Sequence, residues 1–261
     1  MTGTKDPAAP GVAPAAPIGG QLPVAAVGFD LGETLYHYAW PPLRWIERTR
    51  PMVDRLVLAC GIDHSKADIA AAHLGMASYS AYLRGRIEKT TREDVLADVL
   101  AKLGGRTARR VEAAVDGAFT LCRTGLEAYP DAVETLAALK QAGFAVGALT
   151  NVPFGMPRRT IRKDLVRSGL APYVDGFITS VDVGLRKPHR AAFEWLAVTL
   201  GVRLDELAYV GNLPTDVTGA KACGCVPIFL DRTHSGIDYG QAATVHSLSE
   251  VPALVACSRR R

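Results

Sequence analysis

The spacing of apolar residues changes twice along the chain. Residues 24–29, Val-Ala-Ala-Val-Gly-Phe, form an unbroken apolar run that stops at an acid, Asp30, with Gly32 and Thr34 just beyond. A short run bounded by turn chemistry predicts a strand buried on both faces, and therefore a parallel one. From about residue 38 to 127 the spacing becomes helical throughout. Pro41 and Pro42 suit a helix start, and Leu43, Ile46, Val53, Leu56 and Leu58 follow up to Gly61, with a kink expected at Pro51. Asp63 or Ser65 can cap a second helix. Thr-Arg-Glu-Asp at 91–94 forms a capping-box pattern ahead of Val95, Leu96, Val99 and Leu100, and a fourth helix is expected from about Ala108 to Arg123. The aromatics of this stretch, Trp40, Trp45, Tyr79 and Tyr82, read as packing residues.

After Tyr129 strands and helices alternate. Helices are predicted over Asp131–Gln141, Pro157–Ser168, Ala191–Leu200, Thr215–Cys223 and Leu248–Cys257. Strands are predicted over Phe144–Leu149, within Asp175–Ser180, over Leu207–Val210 and Val226–Leu230, with a short sixth ending at Val245. Such alternation predicts an α/β fold, a Rossmann-like parallel sheet with right-handed crossovers. The expected organisation is a tail at 1–22, a core built from 23–37 and 128–261, and an all-helical insertion at 38–127.

Composition narrows the function classes. Of 261 residues 48% are apolar, enough for a full core, and the net charge is only +4. Apart from Arg158, Arg159, Arg162 and Lys163 and the terminal Arg259–Arg261, the basic residues are scattered, which argues against a nucleic-acid footprint. The five cysteines, Cys60, Cys122, Cys223, Cys225 and Cys257, have neither zinc nor redox spacing and read as free thiols of a reducing cytoplasm. No apolar run is long enough for a membrane span. The Ala/Pro/Gly-rich tail lacks the basic head and apolar centre of a signal peptide and is expected to be disordered.

Polar residues sit where the predicted strands end. They are Asp30 with Thr34, Thr150 with Asn151, Lys187 in Gly-Leu-Arg-Lys-Pro, and Asn212 with Asp216 in Val-Gly-Asn-Leu-Pro-Thr-Asp-Val. In one doubly wound sheet all of them converge on the carboxyl edge. A carboxylate, a hydroxyl, an ammonium and a second carboxylate are the groups phosphoryl transfer requires. An aspartate can attack phosphorus, Mg²⁺ takes oxygen ligands from one or two carboxylates, and an ammonium and a hydroxyl can stabilise developing charge.

In order and spacing these segments resemble the haloacid dehalogenase-like (HAD) hydrolase superfamily with a helical cap of the first type. The likeness spans about residues 23–231 and includes Pro130-Asp131. It implies that Asp30 is the nucleophile, that Thr150 bonds the transferring group, and that Lys187 holds the nucleophile and the phosphate charge. It implies Mg²⁺ on Asp30, the Gly32 carbonyl and the acid of the fourth motif, Asp216, with Asn212 offering a neutral oxygen. Thr34, Asn151 and Gly32 are expected to line the substrate. The insertion becomes a cap that selects a small anionic substrate and excludes water. The protein is expected to be a monomer or homodimer with no nucleic-acid or membrane partner.

Two positions depart from the family pattern. Gly32 stands where the family's phosphatases carry a second Asp as general acid and base, a role worth about 10²–10⁴-fold in rate. Glu33 and His37 are the nearby candidates to replace it. Asn212 stands where an Asp is common, which lowers the ligand charge available to Mg²⁺. Three readings follow: a Mg²⁺-dependent phosphatase, a hydrolase of carbon–halogen or carbon–phosphorus bonds, or a non-catalytic binding protein on a hydrolase scaffold. A phosphonate-cleaving enzyme would also need a cap lysine, for which Lys66, Lys89 and Lys102 are available.

Overall fold

The computed structural model describes residues 22–38, 45–60, 65–77, 99, 101, 125–153 and 156–257. In chain order its strands are β1 (Leu22–Val24), β2 (Ala26–Phe29), β3 (Tyr36–Tyr38), β4 (Leu126–Ala128), β5 (Ala145–Thr150), β6 (Gly176–Thr179), β7 (Leu207–Gly211), β8 (Val226–Leu230), β9 (Ala243–Val245) and β10 (Val255–Cys257). The helices are α1 (Trp45–Cys60), α2 (Lys66–Ala77), α3 (Pro130–Gln141), α4 (Arg158–Arg167), α5 (Ser180–Val183), α6 (Arg190–Leu200), α7 (Pro214–Cys223) and α8 (Val251–Leu254).

Strand β2 is buried at every position, because it lies inside a parallel sheet of order β6-β5-β2-β7-β8-β9. Helices cover both faces, as a parallel sheet requires. One core joins Val27, Phe29, Val146 and Ala148 of the sheet to Leu136 and Leu139 of α3 and to Ile161 and Leu165 of α4. The other joins Ala26, Leu149 and Tyr209 to Phe193, Leu196 and Leu200 of α6 and to Ala220 and Cys223 of α7. Gly28 and Gly147 let α6 sit close on this second face. A Cβ at Gly28 would lie 2.6 Å from Leu196 Cδ2, and one at Gly147 would lie 2.8 Å from Leu200 Cδ1.

The alternating half of the chain folds as its pattern predicts, and three stretches differ. The leading apolar run is not one strand: it bends at Ala25, and Leu22–Val24 pairs with β10 in a separate two-stranded sheet. Leu22, expected in the tail, is therefore a strand residue. The expected closing helix ends early, since Val255–Cys257 is the strand that pairs with β1. The insertion is not helical at its ends. Tyr36–Tyr38 and Leu126–Ala128 form an antiparallel pair where the chain leaves the core and returns to it. Inside the insertion α1 runs through Pro51, and Ser65 with Asp68 caps α2 reciprocally at 3.2 and 2.9 Å. The helices expected around 91–94 and 108–123 lie outside the described residues, apart from helical Val99 and Ala101.

Helix α7 approaches the turn after Lys187 through Gly219. A Cβ there would come 2.6 Å from Phe193 Cε2 and 2.9 Å from Pro188 Cα. Alanine is the better helix former by about 1 kcal/mol, but overpacking costs about 1–3 kcal/mol. Gly219→Ala is therefore expected to lower the midpoint of denaturant unfolding, and a raised midpoint would show that the turn yields freely.

Candidate active site

The parallel register brings the ends of three strands to one level. Phe29 pairs with Ala148 of β5 and with Val210 of β7, and Asp30 N donates to Val210 O at 2.9 Å. Asp30, Thr150 and Gly211 thus sit together at the carboxyl edge. Lys187 arrives from the loop between α5 and α6. Asn151 clamps its backbone from both sides: Lys187 N donates to Asn151 Oδ1 at 2.9 Å, and Asn151 Nδ2 donates to Lys187 O at 3.1 Å. Asn151, expected against substrate, has both ends of its amide committed to holding the lysine.

The Lys187 ammonium lies 2.6 Å from Asp30 Oδ1 and 2.8 Å from Asp216 Oδ1. It also contacts Leu149 O at 3.0 Å and the Tyr209 hydroxyl at 2.9 Å, and that hydroxyl donates to Leu149 O at 2.7 Å. All three charged residues are buried. Asp216 is the third residue of α7, and its Oδ2 accepts from Leu213 N at 2.9 Å, capping the helix start. Its Oδ1 is buried with no hydrogen-bond partner and is held by the ion pair with Lys187.

Two carboxylates share one ammonium, and the two signs respond accordingly. Lys187 faces two anions, and their attraction overcomes burial and raises its pKa. The Asp30 carboxyl is pushed up to about 6: burial acts most strongly, Lys187 opposes it, and Asp216 adds repulsion. Two carboxylates against one ammonium leave the cluster with one excess negative charge when both acids are ionised.

The loop after Asp30 is a tight turn in which Leu35 N and Tyr36 N donate to Leu31 O at 2.9 and 3.2 Å. Gly32 lies in this turn, and a Cβ there would meet nothing within 4 Å. Thr34 Oγ1 donates to Asn212 Oδ1 at 3.2 Å, so these two residues brace each other across the mouth. Glu33 adopts the left-handed region with φ 60°, a conformation that costs about 1–2 kcal/mol for a residue with a Cβ. Its carboxylate accepts from the Tyr129 hydroxyl at 3.0 Å. The His37 ring packs on that of Tyr129 with centroids 5.0 Å apart and has Glu127 at 4.0 Å. Both candidates for the missing acid are thus engaged at the root of the insertion.

Two features escape a reading of the sequence. Tyr209 looks like one more core residue of a buried strand, yet its hydroxyl reaches Lys187. Arg232 follows β8, whose end contributes none of the polar segments expected at the site. It binds Asp131 through both guanidinium ends at 2.9 Å, donates to Thr34 O at 3.2 Å and stacks 4.0 Å over Tyr129. The Asp-Arg pair at 231–232 was the available signal.

A family model for haloacid dehalogenase-like hydrolases matches residues 24–224, and the chain belongs to that family. It is 28% identical over 211 residues to the glyceraldehyde 3-phosphate phosphatase of Methanopyrus kandleri, covering 80% of this chain and 84% of that protein. It is 34% identical over 133 residues to (S)-2-haloacid dehalogenase 1 of Pseudomonas sp. (strain CBS-3), covering 50% of this chain and only 57% of that protein. Among solved structures, the 2-haloacid dehalogenase from Pseudomonas syringae pv. Tomato DC3000 superposes with a TM-score of 0.64 at 22% identity, covering 88% of this chain and 97% of that one. A HAD phosphatase from Thermococcus onnurineus superposes with a TM-score of 0.59 at 24% identity, covering 87% and 96%. The structural likenesses establish the fold. Among the described residues no helix is long and apolar enough to cross a membrane.

A carboxyl raised by folding holds its proton more tightly folded than unfolded. The folded state therefore loses stability as pH climbs from 3.8 to about 6. Asp30→Asn removes that penalty while Lys187 keeps Asp216. Without divalent cations, the Tm of Asp30→Asn should exceed that of the wild type above about pH 6, the gap closing toward about pH 4. Thermal unfolding across this range checks it, and a variant less stable at neutral pH would mean that the Lys187 bond outweighs the burial cost.

Proposed function

We propose that this protein hydrolyses a small phosphorylated metabolite by way of an aspartyl ester on Asp30, with Mg²⁺ as cofactor. The observation that carries the reading is the buried Asp30–Lys187–Asp216 cluster at the carboxyl edge of the sheet. Its excess negative charge, with Asp216 Oδ1 held by the Lys187 ion pair and no hydrogen bond, fits a hard cation. Asp30, the Gly32 carbonyl, Asp216 and the Asn212 oxygen would hold it, and bound there it would screen the anionic nucleophile from the anionic substrate.

The chain's own groups do the rest. An Asp30 oxygen attacks phosphorus as the bond to the leaving oxygen breaks. Lys187 orients the attacking carboxylate and offsets its charge. The Thr150 hydroxyl, to which no described residue hydrogen-bonds, donates to an oxygen of the transferring group. Water then attacks the aspartyl phosphate and frees Asp30. The insertion between β3 and β4 acts as the cap that chooses the substrate. Gly32 supplies no proton to the leaving group, so esters with poor leaving groups react slowly.

A second reading is favoured by Gly32 and Asn212 together: displacement at carbon, where a departing halide needs no proton. The two are separated by one assay series. Phosphate release from a panel of phosphate esters should depend on Mg²⁺ and vanish in Asp30→Asn. Halide release without metal would instead establish the second reading, and ligand-induced stabilisation without turnover would indicate a binding protein. Because a Cβ at Gly32 meets open space, Gly32→Asp is expected to raise the rate on alkyl phosphates by about 10-fold or more. An unchanged rate in a folded variant would show that proton transfer is not limiting.

A further inference from the structure

The position of Lys187 is over-determined. Three N–H bonds face four oxygens: Asp30 Oδ1 at 2.6 Å, Asp216 Oδ1 at 2.8 Å, the Tyr209 hydroxyl at 2.9 Å and Leu149 O at 3.0 Å. Two of these are the carboxylates, and one is a main-chain carbonyl. The hydroxyl is the one neutral side-chain group in the set. Tyr209 belongs to β7 and is buried beneath the site, its ring meeting Phe193 edge-on at 5.0 Å. Its hydroxyl spends its proton on Leu149 O at 2.7 Å and so meets Lys187 as an acceptor.

We propose that Tyr209 is a positioning residue, fixing where the Lys187 ammonium rests between the two carboxylates. It does so in two ways. It shares Leu149 O with the ammonium, which limits how far that carbonyl draws the ammonium toward β5. It also accepts one hydrogen bond from the ammonium, which leaves the rest of the ammonium's charge to Asp30 and Asp216. Tyr209 is buried at 1% exposure and takes no part in the chemistry itself. Burial, and next the nearby charges of Asp216 and Asp30, keep its phenol protonated well above the usual range, so the donor to Leu149 O persists.

Tyr209→Phe tests this by removing only the oxygen. In crystal structures of the two proteins, the variant's ammonium should have shortened its 3.0 Å contact with Leu149 O and moved beyond about 3.5 Å from Asp30 Oδ1. The kinetic arm rests on the hydrolase reading: kcat should fall about 10- to 100-fold with KM for the phosphate ester held within about twofold. Phe193→Leu is the control, since it loosens the ring of Tyr209 and keeps the hydroxyl. It should lower Tm without displacing the ammonium. An ammonium that stays on Asp30 in Tyr209→Phe overturns the proposal, as does an equal displacement in Phe193→Leu. Should Tyr209→Phe not fold, a fluorinated tyrosine at 209 keeps the ring and weakens the acceptor, and it should lengthen the Lys187–Tyr209 contact. If the wild type turns over no phosphate ester, the functional reading fails while the structural comparison still decides the role of Tyr209.

Discussion

One buried ammonium holds this site together. Lys187 draws Asp30, from the central strand, and Asp216, from the start of α7, to within 2.6 and 2.8 Å of a single nitrogen. Without it two carboxylates would face each other away from water, where like charges repel strongly. Even with it the arrangement is costly, because burial lifts Asp30 toward neutrality. A buried ion pair is weak evidence for stability. An expensive cluster at the ligand edge of a parallel sheet is better explained by chemistry than by folding.

The remainder of the fold serves that convergence. The parallel register of β2 with β5 and β7 sets Asp30 level with Leu149 and Gly211. Asn151 fixes the backbone of Lys187, and α7 brings Asp216 in by capping itself on Leu213 N. Gly28 and Gly147 allow α6 to lie against the sheet, which in turn seats Phe193 on Tyr209. Removing side chains from the strands is what allows a helix to carry the lysine loop close enough.

Much of this was legible in the sequence, because it depended on local pattern. Strands buried on both faces are apolar throughout, and their ends are marked by Asp30, Thr150 and Asn212. The order of the polar segments was enough to expect Asp30, Lys187 and Asp216 in one place. What escaped depended on partners far along the chain. Leu22–Val24 is a strand only because Val255–Cys257 lies beside it. Tyr36–Tyr38 and Leu126–Ala128 have little periodicity alone and are strands through each other. Tyr209 and Asn151 were visible as residue types, but their bonds to Lys187 are set by loop paths that carry no period.

The neck formed by β3 and β4 has a mechanical consequence. The insertion joins the core through a ladder of three residue pairs, Tyr36 with Ala128, His37 with Glu127 and Tyr38 with Leu126. The residues flanking this ladder, Glu33 and Tyr129, are bonded to each other across the same junction. Tilting the ladder therefore pulls on the turn that contains Gly32, while Asp30, Lys187 and Asp216 stay anchored in the sheet and α7. A load applied to this ladder is therefore delivered to the turn beside Asp30, at the carbonyl of Gly32, and not to the sheet.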